Sequence, residues 1–162
     1  YHGLGQGGRL LSRHAIQQHS HRPGGRLVIR DIALGVTLEE MRDHGATYAR
    51  QVVANAQALA GALHDHGLPV RCADRGYTVS HQILLSLPSG EARQLCRTLE
   101  QQHIFIDISG RIGVAEATHV GMQEDEMETI ARLINAAAQG EQVRDDVAIL
   151  ASRFYPGEAQ VI

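Results

Sequence analysis

The chain has 162 residues, 43% of them hydrophobic and 20% charged, with a formal net charge of −3. That is enough apolar material for one domain with a real core and the wrong composition for a disordered chain. The charge balance gives no basic surface for nucleic acid, no apolar run is long enough to span a membrane, and no signal-peptide pattern opens the sequence. Cys72 and Cys96 lack motif spacing and predict a reduced, cytoplasmic protein.

All 15 basic residues are arginine. Without a lysine side chain, this chain cannot supply a Schiff-base amine from one. The first residue is Tyr1 rather than methionine, which gives the expectation of a processed piece or a fragment. The 10 histidines are scattered, and His14, His19 and His21 do not have the i, i+4 spacing of a helical metal pair, so no metal site is expected.

Residues 1–10 are glycine-rich. Gly3, Gly5, Gly7 and Gly8 leave backbone N–H groups free ahead of a helical stretch at residues 11–21, an arrangement that suits either a phosphate cradle or a flexible terminus. The spacing is not that of a P-loop, which needs a lysine. His21-Arg22-Pro23-Gly24-Gly25 breaks the helix, and residues 26–34 read as a strand or an extended connection.

Thr37-Leu38-Glu39-Glu40 has the form of a capping box and predicts a helix from there to His66, stopped by Gly67 and Pro69. Leu38, Met41, Gly45, Tyr48, Val52, Asn55, Leu59 and Ala62 recur at steps of three and four and mark its buried face. At 1.5 Å per residue this helix is about 43 Å long, suited to bridging two bodies.

Beyond Pro69 the pattern predicts strands at residues 70–73 and 77–87, the second alternating Val79, His81, Ile83, Leu85 and Leu87 against Thr78, Ser80, Gln82, Leu84 and Ser86. Ser89 is placed to cap a helix over 90–102 with a stripe of Ala92, Leu95, Cys96 and Leu99. Strands at 104–108 and 111–114 would meet through a tight turn at Ser109-Gly110. Helices are expected at 123–139, with Met127, Ile130, Ala131, Ile134 and Ala138 inward, and over 143–154, stopped by Tyr155-Pro156-Gly157. Glu124, Asp125, Glu126 and Glu128 read as a solvated first turn favoured by the helix dipole. Strands on one side and helices on the other make a two-layer α+β sandwich with a mainly antiparallel sheet. The expected organisation is residues 1–36 as a phosphate-side loop and connection, 37–67 as the bridging helix, and 68–162 as a small C-terminal domain.

The stretch with chemical character is Ser109-Gly110-Arg111-Ile112-Gly113, followed by Thr118 and Gly121-Met122. Flanking glycines allow a ligand or backbone close to Arg111, whose rigid fork suits bidentate contact with a carboxylate. A surface arginine at a strand end has the same local pattern.

Four collinear stretches resemble serine hydroxymethyltransferases, over about residues 1–8 and 45–155. They are Tyr1-His2-Gly3-Leu4 with Gln6-Gly7-Gly8, the helix Gln51-Val52-Val53-Ala54-Asn55-Ala56-Gln57-Ala58-Leu59-Ala60, Thr78-Val79-Ser80-His81, and Arg111-Ile112-Gly113 with Thr118 and Gly121. The resemblance implies the C-terminal part of a fold type I pyridoxal-phosphate (PLP) enzyme: the end of a large domain, a bridging helix and a small domain. It implies that Arg111 holds the carboxylate of an amino-acid substrate and that Gln6, Gly7 and Gly8 form the cofactor-phosphate loop across a dimer interface, with His81, which either orients its strand or serves the site, and Thr118 as further structural or site residues. The cofactor lysine would lie on a preceding segment or a partner subunit, in a homo- or hetero-oligomer.

The sequence departs from the family where Ser109 and Gly110 replace a longer loop on the folate side, which puts folate in doubt, and where Val114-Ala115-Glu116 lacks the usual Thr-Pro. Both changes fit a relative that joins glycine to an aldehyde, of the threonine aldolase or transaldolase type. A lysine-free, non-catalytic homologue serving as an interaction subunit is the alternative expectation.

Overall fold

A computed structural model of the protein describes residues 25–155. The glycine-rich loop with Gln6, Gly7 and Gly8, the predicted helix at 11–21 with its histidines, and the Pro156-Gly157 stop lie outside the described residues.

Helix α1 runs Gly25–Asp65. It therefore begins at Gly25 rather than at Thr37, and the segment read as a strand or connection is helical. No proline interrupts the sequence between Gly25 and Asp65, and adding a residue to an existing helix costs far less than starting one. Thr37 is not a cap: its hydroxyl donates to the carbonyl of Ala33, 2.9 Å away and one turn back inside the helix.

The chain separates into two compact units, Tyr1–Ala46 and Thr47–Ile162. In the first, Ile32, Leu34, Val36 and Leu38 are all exposed. In the second, Val52, Asn55, Ala56, Leu59, Ala60, Ala62 and Leu63 of α1 are buried. Gly67, at φ +89°, closes the helix, and the chain turns back through Leu68.

The sheet is small. Strand β1 is Gln82–Leu84 and strand β2 is Arg111–Gly113, paired antiparallel with Gln82 opposite Gly113, Ile83 opposite Ile112 and Leu84 opposite Arg111. Two expected strands shrink. The residue 70–73 segment contributes a single bridge, Val70 to Leu85, before a 3-10 turn at Ala73–Arg75. The strand expected from Tyr77 starts only at Gln82. Tyr77 sits at φ +68°, and Thr78 and Ser80 use their hydroxyls on nearby backbone N–H groups, those of Ser80 and Gln82, which competes with ladder pairing. Val79 is thus 87% exposed instead of facing the core.

Helix α2 spans Ser89–Gln101. Pro88 is its N-cap and Ser89 is already helical, so the expected serine cap is absent. Ala92 and Leu99 are buried and Leu95 and Cys96 half-buried, as the stripe requires. Residues 104–108 are not a strand. They lead into a turn in which the Gly110 N–H donates to the Asp107 carbonyl (2.9 Å) and the Asp107 N–H to the Arg111 carbonyl (3.1 Å). Gly110 is buried at φ +78°, where a side chain is strained.

A short helix α3, Ala115–His119, comes directly after β2 and was not foreshadowed by the periodicity. Helix α4 is Glu124–Ala138 and helix α5 is Arg144–Phe154. Met127, Ala131, Leu133, Ile134 and Ala137 of α4 are buried, whereas Ala138 is exposed. α2 packs against α4. Of the acids opening α4, Glu124, Asp125 and Glu128 are exposed, as expected of a solvated turn, while Glu126 accepts from the Gln123 N–H (2.9 Å) and pairs with Arg153, and Glu124 also accepts from Gln51. One apolar cluster gathers Leu59, Leu63, Ile83, Leu85, Leu99, Ile112, Met127 and Ile134. The architecture is α+β, with a small antiparallel sheet and helices. Among the described residues no helix is long and apolar enough to cross a membrane.

Candidate functional site

The alternation of β2 decides where Arg111 points. Ile112 enters the core opposite Ile83, so Arg111 and Gly113 lie on the solvent side. The Arg111 side chain is 51% exposed. Its fork is engaged by a carboxylate from its own chain: Nη2 donates to Asp107 Oδ2 at 3.0 Å and Nε donates to Asp107 Oδ1 at 3.4 Å. Asp107 Oδ1 also accepts from the Ser109 backbone N–H at 2.8 Å and from the Ser109 hydroxyl. These hydrogen bonds, that from Arg111 foremost, hold the Asp107 carboxyl far below the usual carboxylate range. The same contact raises the pKa of Arg111.

The segment after Arg111 is fastened to α1 at both ends of α3. The Tyr48 hydroxyl donates to the Ala115 carbonyl (3.0 Å), and the Tyr48 ring meets His119 edge-on. At the other end, fully buried Asn55 donates from Nδ2 to Thr118 Oγ1 and to the Met122 carbonyl, both at 2.9 Å. Asn55 Oδ1 accepts from Gln51. The Thr118 hydroxyl donates to the Val114 carbonyl at 2.8 Å, so its proton and a lone pair are both committed within the fold. Thr118 is buried and acts as a joint between α1 and the chain after β2.

His81 is exposed, and its backbone carbonyl accepts from the Val114 N–H (3.1 Å), just beyond the paired strands. His81 and the chain leading to Thr118 thus lie at the Gly113 end of the two-stranded ladder, whereas Arg111 pairs with Leu84 at its other end, and the three side chains share no hydrogen bond. An open cleft of about 340 Å³ lined by Arg71, Leu85, Ser86, Leu87 and Pro88 lies on the other edge of β1. Asp107 is the part of the Arg111 site that the motif does not mark, and Ser109, inside the motif, acts by holding it. The available signal is an Asp-x-Ser turn ahead of the arginine. Among the described residues no group of His, Cys, Asp and Glu could hold a metal ion.

The small antiparallel sheet that presents Arg111, sharing one apolar cluster with the helices, makes an α+β arrangement like that of a fold type I PLP enzyme. The chain is serine hydroxymethyltransferase-like and corresponds to the C-terminal portion of such an enzyme. It is 35% identical over 132 residues to the serine hydroxymethyltransferase of Methanosphaera stadtmanae, covering 71% of this chain and 31% of the relative. It is 34% identical over 162 aligned positions to that of Methanothermobacter thermautotrophicus, covering 90% of this chain and 36% of the relative. Among solved structures, L-threonine transaldolase from Pseudomonas fluorescens superposes with a TM-score of 0.66 at 32% identity, covering 72% of this chain and 30% of that one. The chain spans about a third of the length of the curated relatives it matches. No protein-family model matches it.

Proposed function

We propose that this chain is the substrate-carboxylate side of a PLP-dependent enzyme that makes or breaks the bond between glycine and an aldehyde carbon, yielding or cleaving a β-hydroxy-α-amino acid. The observation that carries this reading is the Arg111 fork: half-exposed, planar, and already in two-pronged contact with a carboxylate. An amino-acid substrate presents the same group. PLP, when bound, withdraws electrons from the α-carbon of the amino acid. Arg111 holds the α-carboxylate and so fixes which way the α-carbon faces. Tyr48, Asn55 and Thr118 keep the strand that bears it in place.

The residues present fit the substrate side of such a site and not the cofactor's covalent attachment, since the 162 residues include no lysine. A preceding segment or a partner chain therefore bears the cofactor lysine, and Gln6, Gly7 and Gly8 give backbone N–H groups to the cofactor phosphate in the oligomer. The short Asp107–Gly110 turn leaves little protein on the side where the family's longer loop would lie. The transaldolase likeness favours an aldehyde over folate as the partner of glycine. The second reading, a lysine-free interaction subunit, draws on that same missing lysine.

Titrating glycine into the assembled, PLP-loaded protein tests the role of Arg111. Arg111→Lys keeps the charge and loses the fork. Losing one charge-assisted hydrogen bond, about 1.5–3 kcal/mol, weakens glycine binding about ten- to a hundred-fold. Equal dissociation constants in the variant and the wild type would remove Arg111 from the site.

A further inference from the structure

The carboxylate in the Arg111 fork belongs to Asp107, four residues earlier, and its placement is built by the turn. The Gly110 N–H to the Asp107 carbonyl and the Asp107 N–H to the Arg111 carbonyl close the backbone. The Ser109 N–H and hydroxyl then hold Asp107 Oδ1 in position. Asp107 takes the Nε and Nη2 donors of Arg111 together. A substrate carboxylate binding in fork-to-fork fashion needs an edge of the same guanidinium. With Asp107 in place the pair is also electrically neutral, so the attraction of Arg111 for an incoming anion is cancelled.

We propose that Asp107 is an internal competitor for the carboxylate site, occupying the Arg111 fork in the free protein and leaving it when an amino acid binds. This rests on the reading of Arg111 as the carboxylate anchor. Asp107 thereby sets how tightly amino acids are held. Both side chains are substantially exposed, 51% for Arg111 and 39% for Asp107, so a ligand can reach the pair and water screens it. An ion pair of that kind is weak enough to be displaced, and its removal is worth about a two- to five-fold gain in affinity.

The test is calorimetric titration of glycine into the assembled, PLP-loaded protein, comparing wild type, Asp107→Asn, Ser109→Ala and Arg111→Lys. Asparagine keeps an oxygen to accept the Ser109 N–H, so the turn persists while the charge is removed. Asp107→Asn is expected to bind glycine about two- to five-fold more tightly than wild type, and Arg111→Lys more weakly. Ser109→Ala, which removes one support of the competing carboxylate, is expected to tighten binding by less. If Arg111→Lys weakens binding while Asp107→Asn leaves it unchanged or weaker, the substrate uses the other guanidinium edge. Asp107 is then no competitor, and the role of Arg111 stands. If Arg111→Lys binds like wild type, the anchor reading fails and this inference fails with it. Should Asp107→Asn not fold, Ser109→Ala decides alone: tighter binding supports the competitor, and unchanged or weaker binding overturns it.

Discussion

Asn55 Nδ2 lies 2.9 Å from Thr118 Oγ1, a contact between residues 63 apart in sequence that ties the C-terminal half of α1 to the end of α3. Both residues are buried, and the same amide nitrogen also serves the Met122 carbonyl. Asn55→Ala would leave two buried acceptors without their donor. That should cost about 2–6 kcal/mol, since each buried polar group left unsatisfied costs about 1–3 kcal/mol. Thr118→Val should cost about half as much, because Asn55 keeps its Met122 contact. The double variant should cost less than the two singles together, since one bond is removed in both. Urea unfolding of the three variants measures this. Additive losses would mean that the contact carries no coupling energy.

The Asp107 carboxyl should titrate far below an ordinary aspartate. Its folded-state pKa is depressed, first by hydrogen bonding from Arg111 and then by Ser109. A depressed carboxyl stabilises the fold in its ionised form. The pair's contribution to stability is therefore complete above the unfolded value of about 3.9 and is lost as pH falls below it toward the folded value. Between pH 5 and 8 the pair adds no pH dependence. Carbon-detected NMR of the Asp107 side chain reads the midpoint. Arg111→Ala should move it up toward the ordinary range, whereas a wild-type midpoint of about 4 would mean the contact does not persist in solution.

The legible parts of the fold are those where side-chain chemistry and burial agree. The stretch from Val52 to Ala62 shows its helical period because Val52, Asn55, Leu59 and Ala62 all enter the core. The start of α1 is illegible because Thr-Leu-Glu-Glu has the same letters at a cap and inside a helix. Only the Thr37 bond back to Ala33 tells them apart. The strand around His81 looks longer in the sequence than it is because the alternation of Val79 and His81 continues a real strand pattern. The hydroxyls of Thr78 and Ser80, which cut it short, act through local backbone bonds that periodicity does not record.

The site divides in the same way. Arg111 stands out by its glycine neighbours, and Thr118 by its spacing. Asp107 lies in a segment whose Ile104, Ile106 and Ile108 suggest a strand, so its pairing with Arg111 emerges only once the Asp107–Gly110 turn is formed. Asn55 carries no local mark of its partner, because the contact with Thr118 spans the whole small sheet in sequence.

The cofactor should be attached outside residues 1–162. PLP joins its enzyme through a bond between its aldehyde carbon and a lysine amine, and this chain has none among its 162 residues. Borohydride reduces that bond to a stable secondary amine, so peptide mapping of the reduced, PLP-loaded assembly identifies the lysine. The pyridoxyl group should appear at one site, in stoichiometric amount, on a peptide that is not part of this chain. Arg111→Lys should not capture it, because position 111 would hold the substrate's carboxylate rather than the amine that meets the cofactor. A labelled Arg111→Lys peptide would place the aldehyde within reach of Arg111 and contradict the carboxylate role. An assembly that takes up no pyridoxyl group at all would favour the lysine-free interaction subunit over the enzyme, and the Arg111–Asp107 pair would then be a clamp for the turn rather than a substrate site.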